Sequence, residues 1–159
     1  MLYLDSCVLI KHYIEEQGTD AVHARIEEES RQQQSVFISD VGYAEILAAF
    51  ARKLRDNQLQ EIERDEIQER FHDDWLFTFS NVELTIGVLT LIPDLVRKYP
   101  LKGFDAIHLA SAIWLKDAMR LGKSFGPRRG ILEFATSDKQ LKTAASLEGL
   151  EVFDPENPR

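Results

Sequence analysis

The sequence lacks the features that define several common protein classes. Only one of its 159 residues is a cysteine, Cys7, which excludes an internal disulfide. No segment has the charged start and apolar run of a signal peptide, and none has the roughly 20 apolar residues of a membrane span. We therefore expect a cytoplasmic protein without a membrane association. The chain is long enough to bury a core of its own without disulfides.

Motifs for nucleotide and zinc binding are also missing. Neither GxGxxG nor GxxxxGK[ST] occurs, which argues against binding of dinucleotides or nucleoside triphosphates. Cysteine and histidine do not have the spacing of a zinc site. Cys7 itself lies in an apolar run, where we expect it to be part of the core. If the chain has a reactive site, other side chains must build it.

Acidic residues outnumber basic ones, and the excess is unevenly distributed. The formal net charge of −8 disfavours a polyanionic partner for the surface as a whole. Residues 15–74 contain 16 acidic and 7 basic residues, whereas residues 100–150 contain 8 basic and 5 acidic residues. The first segment therefore has a balance of −9 and the second a balance of +3. The C-terminal part of the chain could face phosphate groups.

Short apolar runs alternate with helical patterns along the chain. We predict strands at residues 2–4, 35–39, 75–79, 131–136 and 150–153. Helices are predicted at residues 41–59, at 61–74 with Ile62 and Phe71 facing inward, and at 82–99 with a kink or break at Pro93. This order indicates an α/β protein with a mostly parallel sheet and helices on both faces.

No linker or internal repeat divides the chain, so we expect one domain. We assign it to residues 1–154 and treat residues 155–159 as a short C-terminal tail; the last residues, 153–159, should form a loose terminus. Residues 121–130 form a basic segment with glycine near both ends, which we predict to be a loop.

Two acidic residues follow predicted strands. Asp5 comes directly after the first strand, and ligands of open parallel sheets bind beyond the carboxyl ends of strands. A capping role is not evident for Asp5. Asp138 follows the strand at residues 131–136, but it could equally be the cap of the helix after it, where a negative charge is favourable.

Two further acids lie on helices among small apolar residues. Glu45 lies opposite the apolar stripe of its helix, next to Ala44, Ala48 and Ala49. A solvent-exposed glutamate beside alanines is an equally acceptable interpretation. Asp105 begins the segment "DAIHLASA", where it could also be only a helix cap.

The four acids have a common explanation if they meet in space. Carboxylates that share one site repel one another and raise one another's pKa unless a cation neutralises them. A hard divalent ion, Mg²⁺ or Mn²⁺, prefers oxygen ligands and keeps several waters. Such ions suit the hydrolysis of phosphate esters, because they activate water and neutralise charge on the phosphate.

Four segments match, in order and spacing, the acidic motifs of a known family: "LYLDSCVLIKHY", "SDVGYAEILAAF", "YPLKGFDAIHLASA" and "FATSDKQLKTAASLEGLEVFDP". They resemble the PIN domain, and most closely the VapC-type toxins of bacterial and archaeal toxin–antitoxin pairs. The resemblance covers nearly the whole chain. It implies a three-layer α/β/α sandwich and a Mg²⁺- or Mn²⁺-dependent ribonuclease. It also implies frequent homodimerisation and inhibition by a cognate antitoxin protein.

By motif, the resemblance assigns metal binding and catalysis to Asp5, Glu45, Asp105 and Asp138. Ser6 and Thr136 match hydroxyl positions beside the first and last acids, where they would support the acids rather than bind the ion. The chain departs from the family in two places. Pro93 interrupts a helix that is usually continuous, and the segment at residues 119–130 is longer than the common connection. These departures affect local geometry and substrate choice.

Other residues near the motifs have two interpretations each. Asp40 suits the N-cap of its helix better than a metal ligand. His108 could act as a general acid one turn from Asp105, but a histidine on an apolar helix face is more often structural. Arg128 and Arg129, with Lys123 and Arg120 nearby, are the best cluster for RNA phosphates, and Arg52 shares the face of Glu45. Charges on a loop are more often solubilising than phosphate-binding.

The sequence therefore predicts a metal-dependent endoribonuclease that is the toxin of a type II toxin–antitoxin pair. Its substrate would be RNA, its partner an antitoxin, and its assembly a homodimer. The alternative is a non-catalytic PIN-like module that binds RNA or protein, and the four intact acids argue against it. A phosphatase of the aspartyl-phosphate type is disfavoured because it needs an acid two residues after Asp5, where Cys7 stands.

Overall fold

The computed structural model describes residues 1–122 and 131–158. Its centre is one sheet with the strand order β3-β2-β1-β4-β5, in which all neighbouring strands are parallel. The strands are β1 (Leu2–Leu4), β2 (Val36–Ser39), β3 (Ser80–Val82), β4 (Glu133–Ala135) and β5 (Glu151–Phe153). Because β1 is the middle strand, the residue that follows it lies at the middle of the sheet's C-terminal edge.

Eight helices surround the sheet within the described ranges. They are α1 (Ser6–Tyr13), α2 (Thr19–Arg31), α3 (Val41–Arg55), α4 (Glu61–Phe77), α5 (Ile86–Leu89), α6 (Ile92–Lys98), α7 (Gly103–Arg120) and α8 (Lys139–Leu147). None of these helices is long and apolar enough to cross a membrane.

The strands separate two apolar cores because successive side chains point to opposite faces of a sheet. On β1, Leu2 and Leu4 belong to the core that α1 to α4 cover. Tyr3 belongs to the other core, which α5 to α8 cover. On β2, Phe37 likewise points away from the core that contains Ile38. The predicted three-layer α/β/α sandwich is therefore confirmed, and its sheet is entirely parallel.

The strand predicted at residues 75–79 is wrong, because α4 continues to Phe77 and the third strand is Ser80–Val82. The aromatic residues of this segment suggested a strand. In the structure, Trp75 continues the helical spacing of Phe71, with a ring distance of 5.7 Å between them. Ile62, which we expected to face inward, is 72% exposed. The inward-facing residues of α4 are Ile67, Phe71 and Trp75.

The predicted break at Pro93 is confirmed. Helix α5 ends at Leu89 and α6 begins at Ile92, so Pro93 lies in the first turn of a new helix. Proline is tolerated there because the first turn has no intrahelical partner for its missing N–H group.

The chain after β5 packs against the domain, so the expected loose terminus is wrong up to Glu156. Pro155 is buried, and a Cβ on Gly18 would lie 2.8 Å from the Pro155 carbonyl oxygen. Gly18 has a φ of +92°, which also favours glycine at this close approach. Glu156 accepts a hydrogen bond from Lys11 Nζ at 2.9 Å.

Candidate active site

The C-terminal edge of the sheet opens into a cleft of about 880 Å³. Four elements contribute acids to its walls. Asp5 follows β1, Glu45 lies on α3, Asp105 lies in the first turn of α7, and Asp138 follows β4 and precedes α8. The structure therefore brings together in one cleft the four carboxylates that the sequence singled out.

Asp5 is buried at the middle of this edge and is only 4% exposed. Its Oδ1 accepts a hydrogen bond from the Val8 backbone N–H at 2.9 Å, which makes Asp5 the N-cap of α1. The structure thus gives Asp5 a capping role that the sequence did not suggest. Its other oxygen, Oδ2, accepts from the Thr136 hydroxyl and, at 3.2 Å, from the Cys7 thiol. Burial raises the pKa of Asp5 despite these hydrogen bonds.

Cys7 packs against the core, as expected, and it also lies at the site. Its sulfur accepts a hydrogen bond from the Ser137 backbone N–H at 3.3 Å, and it lines the cleft. Burial and the neighbouring charge of Asp5 raise the pKa of the Cys7 thiol. A thiol with a raised pKa is a poor nucleophile. Its contacts therefore orient Asp5 rather than prepare Cys7 for attack.

Glu45 is held by two donors that point to the same oxygen. Ser6 Oγ donates to Glu45 Oε2 at 2.7 Å, and His108 Nε2 lies 2.8 Å from that oxygen. Burial alone would raise the pKa of Glu45, but the interactions with His108 and Ser6 outweigh burial and lower it. Ser6, expected to support an acid rather than bind an ion, indeed contacts Glu45.

Asp105 and Asp138 also serve their own helices. Asp105 accepts a hydrogen bond from the Lys102 backbone N–H at 3.3 Å. Asp138 Oδ1 accepts from Gln140 N at 2.9 Å and from Leu141 N at 2.8 Å, as the cap of α8. Burial and then the charge of Asp138 raise the pKa of Asp105. Both acids are therefore helix caps, and they lie close enough to interact electrostatically.

The donor set of the cleft fits a hard divalent cation, because four elements contribute carboxylate oxygens to it. No group of three or more His, Cys, Asp and Glu side chains within residues 1–122 and 131–158 forms a ready-made metal site. Instead, the carboxylates are engaged by nearby hydrogen-bond donors. Mg²⁺ often takes one or two carboxylates and keeps several waters, so it needs no complete protein cage. The raised pKa values of Asp5 and Asp105 indicate negative charge that a cation would stabilise.

Asp40 does not line this cleft. It occupies the N-cap position of α3, as the sequence predicts, but its side chain makes no capping hydrogen bond there. Its carboxylate accepts a hydrogen bond from the Leu84 backbone instead, and burial and the charge of Glu83 raise its pKa.

Basic residues also line the same cleft. They include Lys11, Arg52, Lys53, Arg55 and Lys102. Lys11 and Lys53 form ion pairs with Glu16, and Lys11 also pairs with Glu156. Arg52 and Arg55 form no ion pair with any residue that the structure describes. The cleft is therefore lined by both acidic and basic side chains.

The structure describes one of the other basic candidates, Arg120. Arg128 and Arg129, together with Lys123, lie outside the described residues. Arg120 is exposed at the end of α7 and does not line the cleft.

Sequence reasoning did not identify one buried residue beside the site, Tyr3, and it left the role of another, His108, undecided. His108, for which a structural and a catalytic role were both considered, contacts Glu45 directly. Its Nδ1 lies 3.1 Å from the hydroxyl of Tyr3, which sequence reasoning treated only as part of a strand. A hydroxyl in a buried strand, two residues before Asp5, was the available signal, because a buried tyrosine O–H usually needs a partner.

A parallel α/β/α sandwich whose central edge carries converging carboxylates defines the class of this protein. The chain belongs to the PIN domain family, whose sequence model matches residues 2–147. Two relatives from Mycobacterium tuberculosis strains, Ribonuclease VapC45 and Ribonuclease VapC49, are each 29% identical to it over 152 residues. These matches cover 96% of this chain and 94% of each relative.

Three solved structures share the fold. VapBC2 from Rickettsia felis, bound to a DNA fragment from its promoter, matches with a TM-score of 0.65 and 12% identity over 97% of this chain and 98% of that chain. FitAcB from Neisseria gonorrhoeae matches with a TM-score of 0.63 and 18% identity over 98% of each chain. A toxin–antitoxin complex from Klebsiella pneumoniae matches with a TM-score of 0.57 and 20% identity, also over 98% of each. At these identities the likeness concerns the fold alone.

Proposed function

We propose that this protein is a divalent-metal-dependent endoribonuclease and the toxin of a type II toxin–antitoxin pair, acting in the cytoplasm. The observation that carries this proposal is the meeting of Asp5, Glu45, Asp105 and Asp138 in one cleft of a PIN domain. The names of the two relatives, both ribonucleases, support RNA as the substrate. We assign the catalytic domain to residues 1–154 and the tail to residues 155–159.

The four carboxylates would hold Mg²⁺ or Mn²⁺. When bound, such an ion makes water more acidic and neutralises negative charge on a phosphate. The chain's own residues set the geometry for this chemistry. Thr136 and Cys7 orient Asp5, Ser6 and His108 orient Glu45, and the first turn of α8 holds Asp138. No side-chain nucleophile is required.

The basic residues of the cleft supply the complementary contacts to RNA. Arg52 and Arg55 line the same cleft as the acids and form no ion pair with other described residues. Phosphate contacts of this kind contribute affinity that does not depend on sequence. We propose that Arg52 binds the RNA backbone next to the scissile phosphate, and that Arg128 and Arg129 add further contacts.

Cleavage of RNA by the purified protein tests the enzymatic part. We expect Mg²⁺ or Mn²⁺ to support cleavage of a mixed pool of single-stranded and structured RNAs, and a chelator to abolish it. Asp5→Asn and Asp105→Asn should each lower the rate by at least about 100-fold, since even residues behind the ligands of a metal site are worth about 10- to 100-fold. Asp40→Asn is the matched control, because Asp40 lies outside the cleft, and it should retain activity.

A metal titration separates this proposal from a non-catalytic PIN-like module. Ligands that bind only the native state raise its stability, by about 2.7 kcal/mol at 100 times the dissociation constant. The wild type should therefore show a Mn²⁺-dependent rise in melting temperature, and Asp5→Asn should not. Activity that survives in both folded Asp-to-Asn variants would contradict the assigned site. RNA binding without cleavage or Mn²⁺ stabilisation would favour the module instead.

The antitoxin is a separate part of the proposal. The Klebsiella pneumoniae neighbour is a toxin–antitoxin complex, which supports a protein partner that covers the cleft. We also propose that the toxin is a homodimer, which size-exclusion chromatography with light scattering can measure. Co-expression with the small protein of the adjacent reading frame should yield a complex without RNase activity. Failure to form that complex would contradict the toxin assignment and leave the nuclease assignment intact.

A further inference from the structure

A buried chain of hydrogen bonds leads from the centre of the sheet to Glu45. The Tyr3 hydroxyl lies 3.1 Å from His108 Nδ1, and His108 Nε2 lies 2.8 Å from Glu45 Oε2. Tyr3 is fully buried and His108 is only 2% exposed. The chain of contacts joins β1, α7 and α3, which are distant in sequence, and it ends at the cleft.

The contacts of Glu45 determine where the His108 proton lies. Ser6 has one hydroxyl proton and donates it to Glu45 Oε2. His108 Nε2 is within 2.8 Å of that same oxygen and 3.1 Å from Ser6 Oγ, which has already used its proton. Both neighbours of Nε2 are therefore acceptors. Only a protonated Nε2 satisfies them, because an ionised carboxylate cannot donate.

The contacts of Tyr3 determine whether His108 Nδ1 donates or accepts a hydrogen bond. Ser39 and Ser111 lie near the Tyr3 hydroxyl, and Ser111 Oγ donates its proton to Ser39 Oγ at 3.3 Å. The tyrosine hydroxyl has one proton to donate. Nδ1 of a neutral imidazole that is protonated on Nε2 is an acceptor. The Tyr3 hydroxyl and Nδ1 are therefore complementary, and together they favour a single tautomer.

Packing fixes the two rings that make these contacts. The Tyr3 ring stacks on Phe134 with centroids 5.3 Å apart and an interplanar angle of 14°. The imidazole of His108 meets the Tyr3 ring nearly edge-on, at 79° and 6.0 Å. Two apolar residues could fill this space without a desolvation cost for buried polar groups. The buried polar atoms of Tyr3 and His108 point instead to a function of this hydrogen-bond chain, which is the orientation of Glu45.

We propose that Tyr3 and His108 are positioning residues for Glu45. The Tyr3 hydroxyl donates to Nδ1 and holds the His108 ring in the orientation that directs Nε2–H at Glu45, and this Nε2–H, with Ser6, holds Glu45 Oε2. The other oxygen, Oε1, accepts no hydrogen bond from the residues that the structure describes, and it is left for the cation. This assignment rests on the proposed function only in naming a cation as the ligand of Oε1.

Nitrogen chemical shifts of the His108 imidazole test the contact between Tyr3 and His108, the first half of this hydrogen-bond chain, in the metal-free protein. The wild type should show the tautomer with the proton on Nε2, and its Nδ1 resonance should have the chemical shift of an acceptor that is hydrogen-bonded to the Tyr3 hydroxyl. Tyr3→Phe should keep that tautomer, because Glu45 and Ser6 still face Nε2, but its Nδ1 resonance should move to that of an acceptor without this bond. Tyr13→Phe is the matched control, because it removes a hydroxyl that donates to Asp74, away from the cleft. It should leave the His108 signals unchanged. An unchanged Nδ1 resonance in folded Tyr3→Phe would overturn the role of Tyr3.

Mn²⁺ affinity, measured by calorimetry, tests the second half. His108→Leu should weaken Mn²⁺ binding by about 10- to 100-fold, as loss of a group that orients a metal ligand does. His108→Gln can place an amide N–H near the position of Nε2, so it should recover most of the affinity, whereas the shorter His108→Asn should not. A purely structural role would make the affinity follow the melting temperature in all three variants.

Two outcomes would overturn the role of His108. One is wild-type affinity in folded His108→Leu, and the other is an equal loss in His108→Gln and His108→Leu. If the wild type itself binds no Mn²⁺, the proposed metal-dependent function fails. The proposal that Glu45 Oε1 binds a cation then fails as well. In that case the nitrogen chemical shifts of His108 still test whether Tyr3 donates a hydrogen bond to His108.

Discussion

Thr136 donates a hydrogen bond from its hydroxyl to Asp5 Oδ2, across the two central strands of the sheet. The parallel register pairs Leu4 with Ala135, so the next residues of β1 and β4 emerge side by side. The Asp5 backbone N–H also donates to the Ala135 carbonyl at 3.1 Å. The buried carboxylate is therefore fixed by the sheet itself, which positions a group more accurately than a loop does.

Replacement of Thr136 by valine should test the contribution of the hydroxyl group while the shape of the side chain is kept. Thr136→Val removes the donor to Asp5 and also the acceptor for the Asp138 backbone N–H, which lies 3.1 Å away. We expect a stability loss of about 1 to 3 kcal/mol, the cost of buried groups left without partners. RNA cleavage should fall by about 10- to 100-fold. Thr136→Ser, which keeps the hydroxyl, should restore most of the cleavage rate, and equal rates in the two variants would contradict this account.

Two substitutions of Asp138 should distinguish its capping role from its charge. Asparagine caps helices about as well as aspartate, whereas alanine costs about 1 kcal/mol at such a position. Asp138→Asn should therefore unfold within about 0.5 kcal/mol of the wild type in urea, yet it should lose RNA cleavage. Asp138→Ala should lose both stability and cleavage. Normal cleavage in Asp138→Asn would leave Asp138 with only the role of a helix cap.

The pH dependence of stability should show the burial of His12. Burial, and then the neighbouring His23, lower the pKa of His12 to about 4. A lowered folded-state pKa means that the unfolded state binds the proton more readily. Stability from this group is therefore fully present above about pH 6.5 and is lost as the pH falls towards 4. The loss should be on the order of 3 kcal/mol.

Replacement of His12 by phenylalanine provides the measurement for that prediction. Phenylalanine preserves an aromatic ring against Tyr13, which lies 4.9 Å away, but it does not titrate. Urea unfolding of both proteins between pH 7 and pH 4.5 should give a smaller loss for His12→Phe than for the wild type. Parallel curves would show that His12 does not contribute.

Truncation should show that the C-terminal residues stabilise the domain. Removal of residues 155–159 deletes the contact of Pro155 with Gly18 and the ion pair of Glu156 with the buried Lys11. We expect a loss of about 1 to 3 kcal/mol, because Lys11 would keep only its longer contact with Glu16, at 3.6 Å. Removal of residues 158–159 alone is the control and should change little. Equal stability of both truncated proteins would contradict the packing described for this segment.

The sequence was sufficient for the fold class and for the acids because both follow from local rules. Strand positions such as residues 2–4 come from short apolar runs, and the edge rule for parallel sheets places Asp5 and Asp138 together. Residues 75–77 were misassigned because their aromatic side chains suit a strand as well as the last turn of an amphipathic helix. The choice depended on the tertiary contact of Trp75 with Tyr43 of α3, whose ring centroids are 5.1 Å apart.

The supporting contacts of the site were beyond local rules. Tyr3 and His108 are 105 positions apart, and no periodicity links them. Cys7 was assigned to the core because a lone cysteine in an apolar run behaves as a small hydrophobic residue. Its hydrogen bond to Asp5 arises from the sharp entry of the chain into α1, which turns residue 7 back towards residue 5.

The pairing of β1 with β4 also means that parts of the site are synthesised at different times during translation. Asp5 is translated 131 positions before Thr136, the residue that secures its carboxylate. At about 5 to 20 residues per second, the interval is about 7 to 26 s. Throughout that time the nascent polypeptide has the first acid without β4 beside it. The cell that synthesises this protein therefore meets a finished cleft only after nearly all of the strands have been made.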